Sequence, residues 1–194
     1  VTERSLAGKR VVVVGGSAGI GRAFALKALE DRARLVVVAR RELPAEVLAD
    51  AAQVTSVSAD IRNPDDCRRI GETAASTLGQ VDLLLISAGY APLKAFSDVD
   101  AEDWTKVLAT NVIGVHQVIQ AHLPVLAPSA VVAVLSSDSV RHPHRALGAY
   151  SASKAAMERS LVAWRLEHPG YRFSCVEVGA TVPTDFISDF DPDL

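Results

Sequence analysis

The sequence predicts an α/β protein, a doubly wound parallel sheet in a Rossmann-like, three-layer αβα domain. Short runs of Val, Leu and Ile are nearly continuous rather than alternating, which is how strands read when helices cover both sheet faces. Those runs alternate with longer amphipathic stretches, and parallel strands need such crossovers. The first run ends in a glycine-rich turn that opens a helix.

The elements follow in order. Strands are expected at Arg10–Val14, Leu35–Ala39, Val54–Ser58, Val81–Ser87, Ala130–Ser136 and Arg172–Val178. Helices are expected at Ile20–Arg32, Ala45–Ala52, Pro64–Leu78, Ala101–Leu126 and Ala149–Glu167. Asn63 before Pro64 reads as a helix cap followed by proline in the first turn. No repeat, low-complexity tract or linker interrupts the pattern, so residues 1–194 read as one domain. After the sixth strand, Ala180–Leu194 carries Pro183, Pro192 and several acidic or capping residues, and no further helix and strand follow.

Composition narrows the function. The chain has 194 residues, 49% hydrophobic and 22% charged, enough to bury a sizeable core. A formal net charge of −3 gives no global attraction to nucleic acid or to anionic membrane. No apolar run approaches the roughly 18 residues that span a bilayer. Val1 to Arg10 is polar, with no secretory pattern, so the expected location is the cytoplasm. The 2 cysteines, Cys67 and Cys175, form no disulfide or metal-ligand spacing and read as small buried thiols. No metal site is expected.

The turn Gly15-Gly16-Ser17-Ala18-Gly19-Ile20-Gly21 follows a strand and opens a helix, the context that dinucleotide binding requires. Gly15 allows the tight turn, Gly19 lets the backbone approach a pyrophosphate, and Gly21 lets the helix pack close to the sheet. Ser17 and Ile20 belong to the same cradle. Free N–H groups at the helix start face the anion. An NAD-selective site would place an acid near the end of the second strand. Here Val38-Ala39-Arg40-Arg41 offers no carboxylate and two guanidinium groups. Arg binds a 2′-phosphate bidentately, so the cofactor expected is NADP(H), with Arg40 the stronger candidate and Arg41 the second. Asp60 and Ile61 end the third strand within reach of an adenine. Ser87-Ala88-Gly89 ends the fourth, with Ala88 and Gly89 expected under the adenosine ribose.

Tyr150 and Lys154 stand at i and i+4 on one helix face. A phenol near pKa 10 is a poor acid or base at neutral pH, and a neighbouring ammonium is expected to lower it. Ser136 and Ser137 close the fifth strand, where a hydroxyl can polarise a substrate carbonyl. Asn111 is a modest helix former in mid-helix, which invites a reason such as holding a water for proton relay, or a local backbone bond. The loop Asp138–Ala149 holds Arg141, His142, His144 and Arg145, which would suit an anionic substrate or remain a solvated basic loop.

This ordered set resembles the short-chain dehydrogenase/reductase family, of the type whose domain runs to about 250 residues. Gly15, Gly19 and Gly21 fit its glycine turn, Asp60 its adenine contact, Ser87-Ala88-Gly89 its strand-end element and Asn111 its helix asparagine. Ser137, thirteen positions before Tyr150, fits its serine, and Tyr150 with Lys154 fits Tyr-x-x-x-Lys. Gly179 and Thr184 resemble the segment flanking the nicotinamide.

The resemblance implies that Tyr150 is general acid in reduction and base in oxidation, with Lys154 lowering its pKa and binding ribose. It also implies that Ser137 orients the substrate oxygen, that Asn111 supports a relay water, and that Arg40 sets NADP preference. The substrate implied is a small carbonyl or secondary alcohol, and the assembly a homodimer or homotetramer. Val14, Ser87 and Val178 depart from the family pattern without removing a catalytic group. The family's final helix and strand have no counterpart in this sequence, and the resemblance implies a truncated or disordered C-terminus rather than a natural stop. A catalytically silent NADP-binding sensor or scaffold is the alternative. A 3-oxoacyl-carrier-protein reductase is the narrower one.

Overall fold

The computed structural model describes residues 5–50 and 52–179. Six strands form one sheet in the order β3-β2-β1-β4-β5-β6, with every neighbouring pair parallel. They are β1 Arg10–Val14, β2 Arg34–Ala39, β3 Val54–Ser58, β4 Val81–Ile86, β5 Leu126–Leu135 and β6 Arg172–Val176. The helices are α1 Gly19–Glu30, α2 Ala45–Leu48, α3 Pro64–Leu78, α4 Ala101–Leu108, α5 Val115–His122 and α6 Gly148–Glu167.

Alternate side chains of each strand face opposite layers, which is why the runs had to be apolar throughout. Val12 and Val14 pack with Val36, Leu84 and Val132 against α3, α5 and α6. Val11 and Val13 pack with Leu35, Val37 and Leu85 against α1 and α2. Val11 through Val14 are at most 1% exposed. At roughly 1.5–3 kcal/mol per fully buried large aliphatic side chain, β1 anchors both layers.

The expected Pro64–Leu78 helix is observed with those ends, and Asn63 Oδ1 accepts the Asp65 N–H at 2.9 Å. Several boundaries differ from expectation. The expected helix Ala45–Ala52 is the single turn Ala45–Leu48, and β5 begins earlier, at Leu126. β4 and β6 end at Ile86 and Val176, because the residues beyond leave the ladder to line a cleft.

The larger correction concerns Ala101–Leu126, which is not one regular helix. A π-helical segment, Ala109–Gly114, separates α4 from α5, and a 3-10 turn, Leu123–Val125, follows α5. Close packing forces the break. A Cβ on Gly114 would lie 2.8 Å from the Ile61 carbonyl oxygen, and Asn111 bonds to another loop instead of facing solvent. Single π turns of this kind occur often at functional sites.

The strand order reverses direction between β1 and β4, the switch point where open α/β sheets bind ligands. Register brings the strand ends level there, with Val14 opposite both Val38 and Ile86. Among the described residues, no helix is long and apolar enough to cross a membrane.

Candidate active site

A cleft of about 1070 Å³ opens at the carboxyl ends of the strands. It brings together the glycine turn, Arg40 and Arg41 after β2, Asp60 and Ile61 after β3, Ser87-Ala88-Gly89 after β4, Ser136 and Ser137 after β5, Tyr150 and Lys154 on α6, and Gly179. Among the residues expected from sequence, Asn111 lies just behind this lining, and Thr184 falls outside the described residues.

The glycine turn is built as its residues require. Gly15 has φ +97° and a Cβ there would stand 2.7 Å from the Ala88 nitrogen. On Gly21 a Cβ would meet the Gly15 oxygen and Ser87 Oγ, both at 2.2 Å. Ser87 Oγ donates towards the Val14 and Gly15 carbonyls, each at 3.1 Å, so this serine locks the end of β1. Gly19 is the opposite case: φ is +54° and nothing lies within 4 Å of its absent side chain. It presents bare backbone to the cleft, and among the described residues no side chain caps the first turn of α1. Unsatisfied N–H groups at such a turn suit an anion.

At the β2 and β3 ends, Arg40 is exposed and Ala39 stands where a ribose-binding acid would be. Asp60 is held by Arg62 at 2.5 Å, and its carboxyl sits below the usual carboxylate range chiefly through that hydrogen bond, with the Arg40 charge a smaller contribution.

The catalytic end is buried and interlocked. The Tyr150 phenol is hydrogen-bonded with Ser137. Ser137 Oγ also accepts the Ser139 N–H at 3.2 Å, fixing the start of the following 3-10 turn. Lys154 is 3% exposed and its Nζ donates to the Leu135 carbonyl at 2.7 Å, 5.6 Å from the centre of the Tyr150 ring. Burial pushes the Lys154 ammonium down to about 8. The expectation that Lys154 lowers the Tyr150 pKa is not met. Burial pushes the phenol up to about 12, against the smaller opposing pull of its hydrogen bond with Ser137. The lysine amine is turned to a backbone carbonyl, and desolvation of the phenolate dominates.

Asn111, with no exposed surface, takes the local-bond option that the sequence left open. Its Oδ1 accepts the Tyr90 N–H at 2.9 Å, and its Nδ2 donates to the Tyr90 carbonyl at 2.8 Å and to Ser153 Oγ at 2.9 Å. Ser153 Oγ donates in turn to the Tyr150 carbonyl at 2.6 Å. The π turn thereby ties the loop after β4 to the catalytic helix. Gly89 lies beside this network, since a Cβ there would stand 3.6 Å from Asn111 Oδ1 and 3.7 Å from Lys154 Nζ.

Sequence reasoning missed four contributors. Gly16 is required because a Cβ would lie 2.2 Å from Val37 Cγ1. Ser153 links Asn111 to α6, and its place beside Lys154 was the available signal. Lys106 and Thr110 line the cleft from α4 and the π turn, and their i,i+4 spacing on one helix face could have flagged them.

Residues 9–193 match the short chain dehydrogenase family, and the chain belongs to that family. It is 33% identical over 178 residues to 11-beta-hydroxysteroid dehydrogenase 1A of Arabidopsis thaliana, covering 88% of this chain and 51% of that protein. It is 32% identical over 190 residues to glucose 1-dehydrogenase of Gluconobacter oxydans, covering 91% of this chain and 70% of that one. A solved structure of the short-chain glucose/ribitol dehydrogenase from Brucella melitensis superposes with a TM-score of 0.84 at 28% identity, over 94% of this chain and 76% of that one. The chain thus spans about half the length of the Arabidopsis relative.

Proposed function

We propose that this chain is an NADP(H)-dependent oxidoreductase that moves a hydride between the nicotinamide and the carbon of a carbonyl or secondary alcohol, with Tyr150 as general acid in reduction and base in oxidation. One observation carries the reading. The hydrogen-bonded Tyr150–Ser137 pair lies in the same cleft as the glycine turn and Arg40. Two relatives that carry dehydrogenase names support the same reaction class.

The residues present fit a dinucleotide. The open backbone at Gly19 and the uncapped start of α1 suit a pyrophosphate, with Gly15, Ser17, Ile20 and Gly21 completing the cradle. Arg40 and Arg41 would hold a 2′-phosphate, and Asp60 and Ile61 the adenine. Ala88 and Gly89 would meet ribose, and Tyr150, Lys154, Gly179 and Thr184 the nicotinamide end. When bound, this cofactor supplies or accepts the hydride.

The protein's own residues position the substrate and move the proton. Ser137 holds the substrate oxygen and polarises it, and the Tyr150 hydroxyl gives that oxygen its proton in reduction. Burial keeps the phenol protonated, as an acid in waiting must be. Lys154, its Nζ donating to the Leu135 carbonyl, ties the catalytic helix to the end of β5 and would meet the nicotinamide ribose. Asn111 and Ser153 fix the relative placement of the Tyr90 loop and Tyr150. We also propose a homodimer or homotetramer, which light scattering on a sizing column checks.

The cofactor part is tested by thermal shift. NADPH is expected to raise the melting temperature more than NADH, and Arg40→Asp to reverse that order. Equal shifts from both nucleotides in the unmodified protein would refute the preference.

A further inference from the structure

The loop between β5 and α6 carries four basic side chains, and the structure separates them by fate. Arg141 is consumed by Glu158, at 3.4 Å, and by Glu177. His142 lies outside the cleft lining. His144 lines the cleft and faces Asp138, with Nε2 3.9 Å from Oδ2. Arg145 also lines the cleft, is exposed, and has no carboxylate partner among the described residues.

The backbone holds this arrangement. The Arg141 and His142 N–H groups both donate to the Asp138 carbonyl at 2.8 Å, closing the start of the loop. Its far end is pinned where the Ser151 N–H donates to the Leu147 carbonyl at 2.8 Å. Between these points Ala146 adopts φ +59°, a conformation that is unfavourable for a residue with a Cβ. Ala146 is 8% exposed, so the strained residue tucks inward directly after Arg145. Strain of this kind in a non-glycine residue persists only where surroundings over-determine it, and it concentrates at ligand-handling segments.

Among the described residues, the charges that line the cleft favour an anion. Lys106 lines the same cleft from α4 with its ammonium 4.1 Å from the centre of the Tyr90 ring, so it adds positive charge rather than cancelling any. The opposing carboxylate is Asp138, which faces His144 and lies 3.4 Å from Ser137 Oγ. Asp60, the other acid among the described lining residues, is neutralised by Arg62 after β3.

We infer that Arg145 is a specificity residue, and that the substrate is a carbonyl or alcohol compound bearing a carboxylate that Arg145 receives while its reacting oxygen lies at Ser137 and Tyr150. This rests on the oxidoreductase reading above and adds the substrate class to it. A guanidinium fork matches a carboxylate bidentately and fixes orientation as well as charge.

The test uses NADPH with a series of oxo-carboxylates of increasing chain length, each paired with its neutral primary amide. The enzyme is expected to favour the acid at one chain length by about tenfold or more in kcat/KM, the scale of one charge-assisted hydrogen bond. Arg145→Gln should erase that preference through KM for the acid, leaving the amide unchanged, and Arg145→Lys should restore part of it. Arg145→Glu should favour the amide. Raising salt should weaken the preference, since the site is exposed. Equal use of acid and amide by the unmodified protein, or a preference that survives in Arg145→Gln, would overturn the assignment and leave the oxidoreductase reading standing. No NADPH oxidation with any member, alongside turnover of a ketone or alcohol that lacks a carboxylate, would overturn the assignment alone; no turnover of any carbonyl or alcohol, despite nucleotide binding seen by cofactor fluorescence, would overturn both.

Discussion

Replacing Asn111 by Ala tests whether the π turn is the clasp described above. The substitution removes three hydrogen bonds of 2.8–2.9 Å from a side chain with no exposed surface. Each is worth about 1 kcal/mol net, and stranding the Tyr90 N–H and carbonyl adds to that, so the loss is roughly 3–5 kcal/mol. For a domain of this size 1 kcal/mol moves Tm by roughly 2–4 °C, which gives a fall of roughly 6–20 °C. Asn111→Asp keeps the shape but sets an acceptor against the Tyr90 carbonyl, and should cost a similar amount. Thr105→Ala, an exposed change on the neighbouring α4, is the control and should stay within about 0.5 kcal/mol. The assay is urea unfolding with m-values compared. A loss below about 1 kcal/mol for Asn111→Ala would refute the clasp, because three bonds from a buried side chain cannot be that weak unless the loop finds other partners.

Other predictions follow from the same geometry. Gly21→Ala places a methyl 2.2 Å from the Gly15 oxygen and Ser87 Oγ, so it should destabilise by about 1–3 kcal/mol and weaken nucleotide binding. Unchanged nucleotide affinity in a titration would contradict the tight turn. His122 is fully buried, donates through Nδ1 to the Val118 carbonyl at 2.7 Å, and has no partner for Nε2 among the described residues. Burial holds it below the ordinary histidine value of 6.5. The unfolded chain therefore takes up a proton before the native one as pH falls. Stability present above pH 6.5 is lost below it, with a slope of up to about 1.4 kcal/mol per pH unit. His122→Leu should flatten that slope below about pH 6.5. Equal slopes in both proteins would show that other groups govern the acid limb.

The strands were legible because a sheet covered on both faces must be apolar on both faces, and Val11–Val14 shows this in four letters. The glycine turn was legible because close approaches leave no substitute for glycine at Gly15 and Gly21. The break in Ala101–Leu126 was not, since its cause lies far away in the chain, at Ile61 and Tyr90. Asn111 was visible as an oddity, but its bonding partners were not. The Tyr150 pKa was misjudged for a related reason. Helical spacing places Lys154 beside the phenol, yet only the fold shows the amine committed to Leu135 and the phenol desolvated. Arg145 stood out only as one of four basic residues, and the structure separated it by assigning partners to others.

The most direct measurement is single-turnover hydride transfer by Tyr150→Phe, with NADPH affinity measured alongside on the same preparation. The phenol stands on α6 and the phosphate cradle is built by the glycine turn after β1, so the substitution leaves the cradle intact. The account therefore predicts a rate loss of roughly 10²–10⁴-fold with nucleotide affinity nearly unchanged. Turnover at the level of the unmodified protein would contradict it.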